Sequence, residues 1–218
     1  MTLPRDAWGL PLLRGIDARG RADLSMAAIR REVKEGEAIF EAGDTADSLF
    51  VVCKGEIALG TRGGAENRRA FSSFGEESIL GVRMRRVTRA YAAVRSTVAI
   101  VPASVIERVI VRQGGNDWFE RERRTLRRSF AMRSIALHGH RSNESYAWLD
   151  STVDIELLPG QTVRLPRGAR VFLVDGVLEE SAVGNDLRGF RSGDYIAPSP
   201  HERVLTARAP TWLLSECA

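Results

Sequence analysis

Lysine is nearly missing from this chain: Lys34 and Lys54 are the only two among 32 basic residues, and the rest are arginine. A GC-rich bacterial coding sequence produces that bias without any functional cause. The net charge of +4 is therefore thin ground for a nucleic-acid partner. Cysteine is equally scarce. Cys53 and Cys217 build no disulfide framework and cannot supply the four thiolates of an iron–sulfur sensor. Cys53 lies in an apolar run and reads as a small buried hydrophobe. No apolar stretch approaches the ~18 residues of a membrane span, and Met1–Asp6 lacks a basic region followed by an apolar core. A reducing cytoplasm is the expected location. No phosphate-loop, dinucleotide or serine-nucleophile pattern occurs, so no catalytic residue is assigned and the protein is expected not to be an enzyme. The apolar fraction of 44% excludes wholesale disorder.

What the chain has is glycine-punctuated strand grammar. Gly36 and Gly43-Asp44 separate short runs rich in β-branched and aromatic residues, and Asp44 and Asp47 suit a loop between strands. Leu49-Phe50-Val51-Val52-Cys53 is continuously apolar at strand length, the pattern of a strand covered on both faces. Lys54-Gly55-Glu56 turns, and Ile57-Ala58-Leu59 resumes. Many short strands between glycine turns point to a sandwich, barrel or roll. Ahead of this, residues 1–32 form a helical entry segment, with Gly15 and Gly20 breaking the run. Pro102-Ala103-Ser104 starts a helix whose apolar face is Val105, Ile106, Val109 and Ile110, and Gly114-Gly115 ends it. Asn116 or Asp117 caps a longer helix over 118–137, where Phe119, Leu126, Phe130 and Leu137 make one apolar stripe on a basic rod. That stripe suits either a dimer interface or packing on the chain's own roll.

The same grammar returns after residue 149. Gly160 falls on Gly36 and Gly168 on Gly43. Phe172-Leu173-Val174 falls on Phe50-Val51-Val52 with small gaps, and Gly189–Asp194 echoes Ala70–Glu76. The chain therefore reads as an internally duplicated roll with a shorter second copy. A lone cupin-like roll is the other view of residues 151–218.

The first segment, with Phe74-Gly75-Glu76-Glu77-Ser78-Ile79-Leu80 after it, resembles the cyclic nucleotide-binding domain, the β-roll of catabolite activator-type regulators, kinase regulatory subunits and gated channels. The resemblance implies a fold and a ligand seat. Backbone N–H groups of the helix start Glu77–Leu80 would face a phosphate, Gly75 would allow close approach, Glu76 would accept from a ribose hydroxyl, and an arginine would pair with the phosphate. The expected ligand-binding residues are thus Gly75, Glu76, Glu77, Ser78, Arg86 and Arg89. Spacing points to Arg86, the small residue that follows points to Arg89, and Arg83 and Arg85 are within reach. Glu77 departs from the family by putting a negative charge where an apolar residue is usual, and Val87 removes a hydroxyl beside the arginine. The ligand implied is a cyclic nucleotide such as cAMP or cGMP, and no cofactor is expected.

The fold class expected is mainly β with helices: tandem double-stranded β-rolls of the cyclic nucleotide-binding or cupin-like jelly-roll kind, joined by a long α-helix. The segments are 1–32, 33–115, 116–148 and 149–218. The function expected is bacterial regulation by nucleotide sensing, read out through helix 118–137 by a protein partner or a second protomer. The alternative is a ligand-free roll serving as a structural or assembly module, and behind it stand a metal-dependent cupin-type enzyme and a DNA-binding regulator. His138-x-His140-x3-Glu144 has the spacing of a cupin metal motif, but its flanking glycines are missing and no metal site is assigned. Pro198 and Pro200 oppose a phosphate cradle in the second copy, where Arg203 could still face the site. No helix-turn-helix follows residue 138, which argues against a DNA-binding regulator. The arginines at 121, 123, 124, 127 and 128 read as a solvated helix face.

Overall fold

The computed structural model describes residues 3–61, 64–79, 85, 86, 88–115, 117–137, 148, 151–181 and 187–216. The chain divides into two compact units, Met1–Arg127 and Arg128–Ala218.

In the first unit a 3-10 turn (Arg5–Gly9) precedes helix α1 (Ala18–Ala27), capped by the Asp17 carboxylate accepting from the Gly20 amide at 2.6 Å. Gly20 does not break the chain, contrary to expectation. It lies inside α1, because a Cβ there would meet Val109 and Ile16 at 2.6 and 2.7 Å. Strands follow as β1 (Ile29–Val33), β2 (Ala38–Phe40), β3 (Ser48–Lys54), β4 (Glu56–Thr61), β5 (Gly64–Arg69), β6 (Ser73–Phe74), β7 (Ala90–Ala92) and β8 (Ser96–Pro102). They form two antiparallel sheets ordered β1-β8-β3-β6 and β2-β7-β4-β5. Helix α2 (Ala103–Arg112) starts with Pro102 at its N-cap and gives way to Gly114 and Gly115, both at positive φ. Helix α3 runs Asp117–Leu137.

Strand β3 explains its own sequence. Phe50 and Val52 point between the two sheets, into a core with Val33, Phe40, Ile57, Leu59, Phe74 and Val98. Leu49 and Val51 point the other way, into a core with Leu13, Ile16, Leu24, Ile106 and Phe119. Both faces are covered, so the run has no polar alternation.

The second unit carries β9 (Thr152–Leu157), β10 (Thr162–Leu165), β11 (Val171–Asp175), β12 (Val177–Ser181), β13 (Leu187–Arg191), β14 (Tyr195–Ile196), β15 (Arg203–Ala207) and β16 (Thr211–Glu216). Its sheets are ordered β14-β11-β16-β9 and β10-β15-β12-β13. Renumbered from its own first strand, the unit has the strand neighbours of the first. Leu157, Leu165, Leu173, Leu178, Phe190, Leu205 and Leu213, drawn from both sheets, form its core.

Pairing corrects the expected alignment of the two runs. Phe50 faces Phe74, and Val171 faces Ile196. Val52 faces Val98, and Leu173 faces Leu213. Residues 171–176 therefore match 50–55 without a gap, one residue earlier than expected. A bulge falls at Cys53 in one and at Val174 in the other. Gly193 matches Phe71 rather than Gly75, since their amides donate to Leu173 and Val52 at 2.7 and 2.8 Å.

The expected segment limits also shift. The first sheet already begins at Ile29, and the two units divide inside α3. Of the helix stripe, Phe119 and Phe130 are buried within the chain and Leu126 is partly buried. Phe119 joins the first unit's core, and Phe130 stacks on Trp212 of the second at 5.8 Å. The side chain of Leu137, the cap Asn116 and the motif His138–Glu144 lie outside the described residues, as do Leu80, Arg83, Val87 and Cys217. The described residues from 152 to 216 are strands and their turns. No described helix is long and apolar enough to cross a membrane.

Candidate functional site

The expected site residues lie at the end of β6 and the start of β7. Phe74 ends β6 between Phe40 and Phe50, its ring stacked on Phe50 at 4.9 Å. Gly75 follows at φ +76, a conformation open to glycine. Space requires glycine here too: a Cβ would lie 2.7 Å from Nη1 of Arg86 and 2.9 Å from the Phe50 ring. The chain then makes one 3-10 turn, Glu76–Ile79. The Ser78 hydroxyl donates to the Gly75 carbonyl at 3.0 Å, and the Ser73 hydroxyl donates to Oε1 of Glu76 at 2.9 Å. Glu76 is half-buried.

Arg86 is the centre of the arrangement. Its backbone is fixed by pairing with the Gly43–Asp44 turn: the Gly43 amide donates to the Arg86 carbonyl and the Arg86 amide to the Asp44 carbonyl, both at 2.7 Å. Its side chain is only 1% exposed. Nη1 donates to the Gly75 carbonyl at 3.0 Å and approaches Oε2 of Glu77 at 3.3 Å, while Nη2 donates to the Ser48 carbonyl at 2.7 Å. The guanidinium also lies 4.5 Å from the Phe40 ring centre and 5.3 Å from that of Phe50. Its Nε has no hydrogen-bond partner among the described residues. Burial pulls the Arg86 pKa down from its ordinary value, and the neighbouring charge of Glu77 opposes that pull.

The structure thus brings Gly75, Glu76, Glu77, Ser78 and Arg86 together and leaves Arg89 apart. Arg89 is exposed, pairs with Glu41 at 3.1 Å and lies over Tyr91. Arg85 is also exposed and donates to the Gly43 carbonyl. One turn of 3-10 helix covers Glu76–Ile79 of the helix start expected at 77–80, and Leu80 lies outside the described residues.

In the second unit Ala197 follows β14 as Gly75 follows β6. Arg203, at the start of β15, donates from Nη1 to the Ala197 carbonyl at 3.1 Å. Sequence reasoning left Arg203 facing a site. Instead its fork grips Glu180 through two contacts of 2.6 Å, and it lies over Phe190. Glu180 was missed altogether. It stands in β12, on the strand paired with β15, and only that pairing reveals it.

Among described residues, no group of three histidine, cysteine, aspartate or glutamate side chains is placed to hold a metal.

Several solved structures are similar. The regulatory domain of Toxoplasma gondii PKA, crystallised with cAMP, is 13% identical over 97% of this chain and 86% of that one, with a TM-score of 0.46. The N-terminal domain of a transcriptional regulator from Streptomyces coelicolor is 20% identical over 58% of this chain and 95% of its own, at 0.49. A cyclic nucleotide-binding-like protein from Brucella abortus is 22% identical over 49% and 95%, at 0.43. A search of curated proteins finds no match. Residues 30–113 match the family model described as the cyclic nucleotide-binding domain, and that segment of the chain carries a domain of this family.

Proposed function

We propose that this protein is a non-catalytic regulator that senses a nucleotide-type anion through its first roll. Gly75, Glu76, Ser78 and Arg86 form the seat, and a cyclic nucleotide such as cAMP or cGMP is the ligand class. Carrying the reading is one observation: Arg86, fixed by the Gly43–Asp44 turn, meets the Gly75 carbonyl at 3.0 Å beside Glu76 and Ser78. The phosphate would take the guanidinium, and Glu76 would accept from the sugar hydroxyl. The ligand can shift an equilibrium only by binding one conformation better than another. The reader of that shift would be a protein partner or a second protomer at α3. Since Phe119 and Phe130 of the α3 stripe are buried and Leu126 is half-buried, the partner would meet the exposed polar face, which bears Glu120, Arg121, Arg124 and Arg128.

We further infer that the second unit is a duplicate roll. Shared strand neighbours, matching bulges and paired glycine turns support this. Its arginine, committed to Glu180, leaves that copy a structural role.

A second reading is favoured by the same arginine's 1% exposure. Arg86 would then be a permanent internal strut and the protein a ligand-free assembly module.

Calorimetry of the full chain with cAMP and with cGMP separates the two. Sensing predicts saturable heat, and Glu76→Ala weakens binding about tenfold or more, as expected for a hydrogen bond to a charged group. A folded protein giving no heat with either nucleotide, yet sedimenting as a stable oligomer, would establish the assembly reading.

A further inference from the structure

The edge strand of the first roll turns two charged side chains inward. Strand β5 comes last in its sheet, after β2, β7 and β4. Residues directly opposite one another in an antiparallel pair share a face. Ile57 and Leu59 belong to the core between the sheets, and Arg68 and Glu66 stand opposite them. The inner face of β5 therefore bears an arginine and a glutamate where β4 bears apolar residues. Glu66 holds the arginine, with Oε1 2.8 Å from Nη2 of Arg68. The Arg68 side chain is 26% exposed, yet its Nε is shut off from solvent and has no hydrogen-bond partner among the described residues. A buried donor of a charged group calls for an acceptor.

Strand pairing links this place to the proposed seat. Phe40 stands opposite Ala90, Ala90 opposite Leu59, and Leu59 opposite Glu66. One row thus crosses the inner face from Phe40, under the Arg86 guanidinium at 4.5 Å, to the Glu66–Arg68 pair. Neighbouring strands are about 4.8 Å apart, so the row covers roughly 14 Å. Two arginine side chains and a nucleotide between them span such a row. With the phosphate on Arg86 and the sugar at Glu76, the base is the part left to place.

We propose that Arg68 reads the base of that nucleotide and selects guanine over adenine, with Glu66 as its positioning residue. This inference rests on the sensing reading of the first roll and adds the identity of the base. Arginine carries donors only. The guanine edge bearing O6 and N7 offers two acceptors, which a guanidinium meets two-pronged. The same edge of adenine offers one acceptor, N7, beside the N6 donor.

Calorimetry of the full chain with cAMP, cGMP and cyclic inosine monophosphate tests this. The inosine nucleotide keeps O6 and N7 and lacks the 2-amino group. Wild type is expected to bind cGMP and the inosine nucleotide about tenfold or more tighter than cAMP. Arg68→Met keeps an unbranched stem and removes the donors, so the ratio of cGMP to cAMP affinity should fall to near one. Arg68→Lys supplies a point charge without the fork and should keep part of the ratio. A merely structural role would weaken both nucleotides alike and leave the ratio as in wild type. Circular dichroism establishes that each variant is folded. If neither folds, wild type decides: an inosine nucleotide that binds like cGMP supports the proposal, and one that binds like cAMP overturns it. Wild type that binds without preferring cGMP, or a preference that survives in folded Arg68→Met, overturns base reading and leaves the sensing reading standing. Arg68 would then serve only to guard the edge of the sheet. Wild type that binds none of the three nucleotides overturns both.

Discussion

At the scale of single residues, the site turns on how little room surrounds Arg86. Gly75 is required twice, by its φ of +76 and by the 2.7 Å that would separate a Cβ from the guanidinium. Gly43, at φ +94, has nothing within 4 Å of its virtual Cβ and is required by conformation alone. Placing alanine in the left-handed region costs roughly 1–2 kcal/mol, and overpacking a tight site adds about 1–3 kcal/mol. Gly75→Ala should therefore lower the denaturant midpoint well beyond Gly43→Ala. Equal losses in urea unfolding would mean that Arg86 yields easily. Part of this was legible. Glycine before a carboxylate after a phenylalanine points to the turn at Gly75, and spacing points to Arg86 beside it. The choice between Arg86 and Arg89 was not legible, because the pairing of residues 85 and 86 with the Gly43 turn decides which side chain faces inward. A linear sequence does not display that pairing.

At the scale of elements, turns explain what sequence comparison blurred. Phe71 has φ +67 and Gly193 φ +92 in matching turns. One unit places a bulky residue where the other has glycine, so residue identity misled the alignment by several positions. The run Val171–Val174 offers no internal mark of register, and only the turn at Gly176 anchors it. The glycines at 36, 43, 55, 160, 168 and 176 were legible as turns, and all have positive φ. The β15–β12 pair carries its own prediction. The Arg203 guanidinium holds the Glu180 carboxyl below its ordinary value of 4.5. A carboxylate with a depressed folded pKa adds stability above its unfolded pKa, and that contribution fades as pH falls through the folded value. Thermal unfolding followed between pH 7 and pH 3 should show the second unit weakening on the acid side. Glu180→Gln should lose stability at pH 7 and flatten that slope. A variant slope parallel to that of wild type would assign the acid sensitivity elsewhere.

At the scale of the whole molecule, repetition of strand order sets what each unit can do alone. Each unit buries its own core between its own two sheets. Opening free energies in proteins follow such cooperative blocks. Val52 and Leu173 occupy matching places on β3 and β11, both fully buried. Val52→Ala and Leu173→Ala each remove methyl groups from a packed interior, costing about 2–4 kcal/mol for a leucine and less for a valine. Hydrogen exchange should then report losses by unit. Val52→Ala should lower protection in β1–β8 and Leu173→Ala in β9–β16, each leaving the other set near wild type. Protection lost equally in both sets would make the chain one cooperative block.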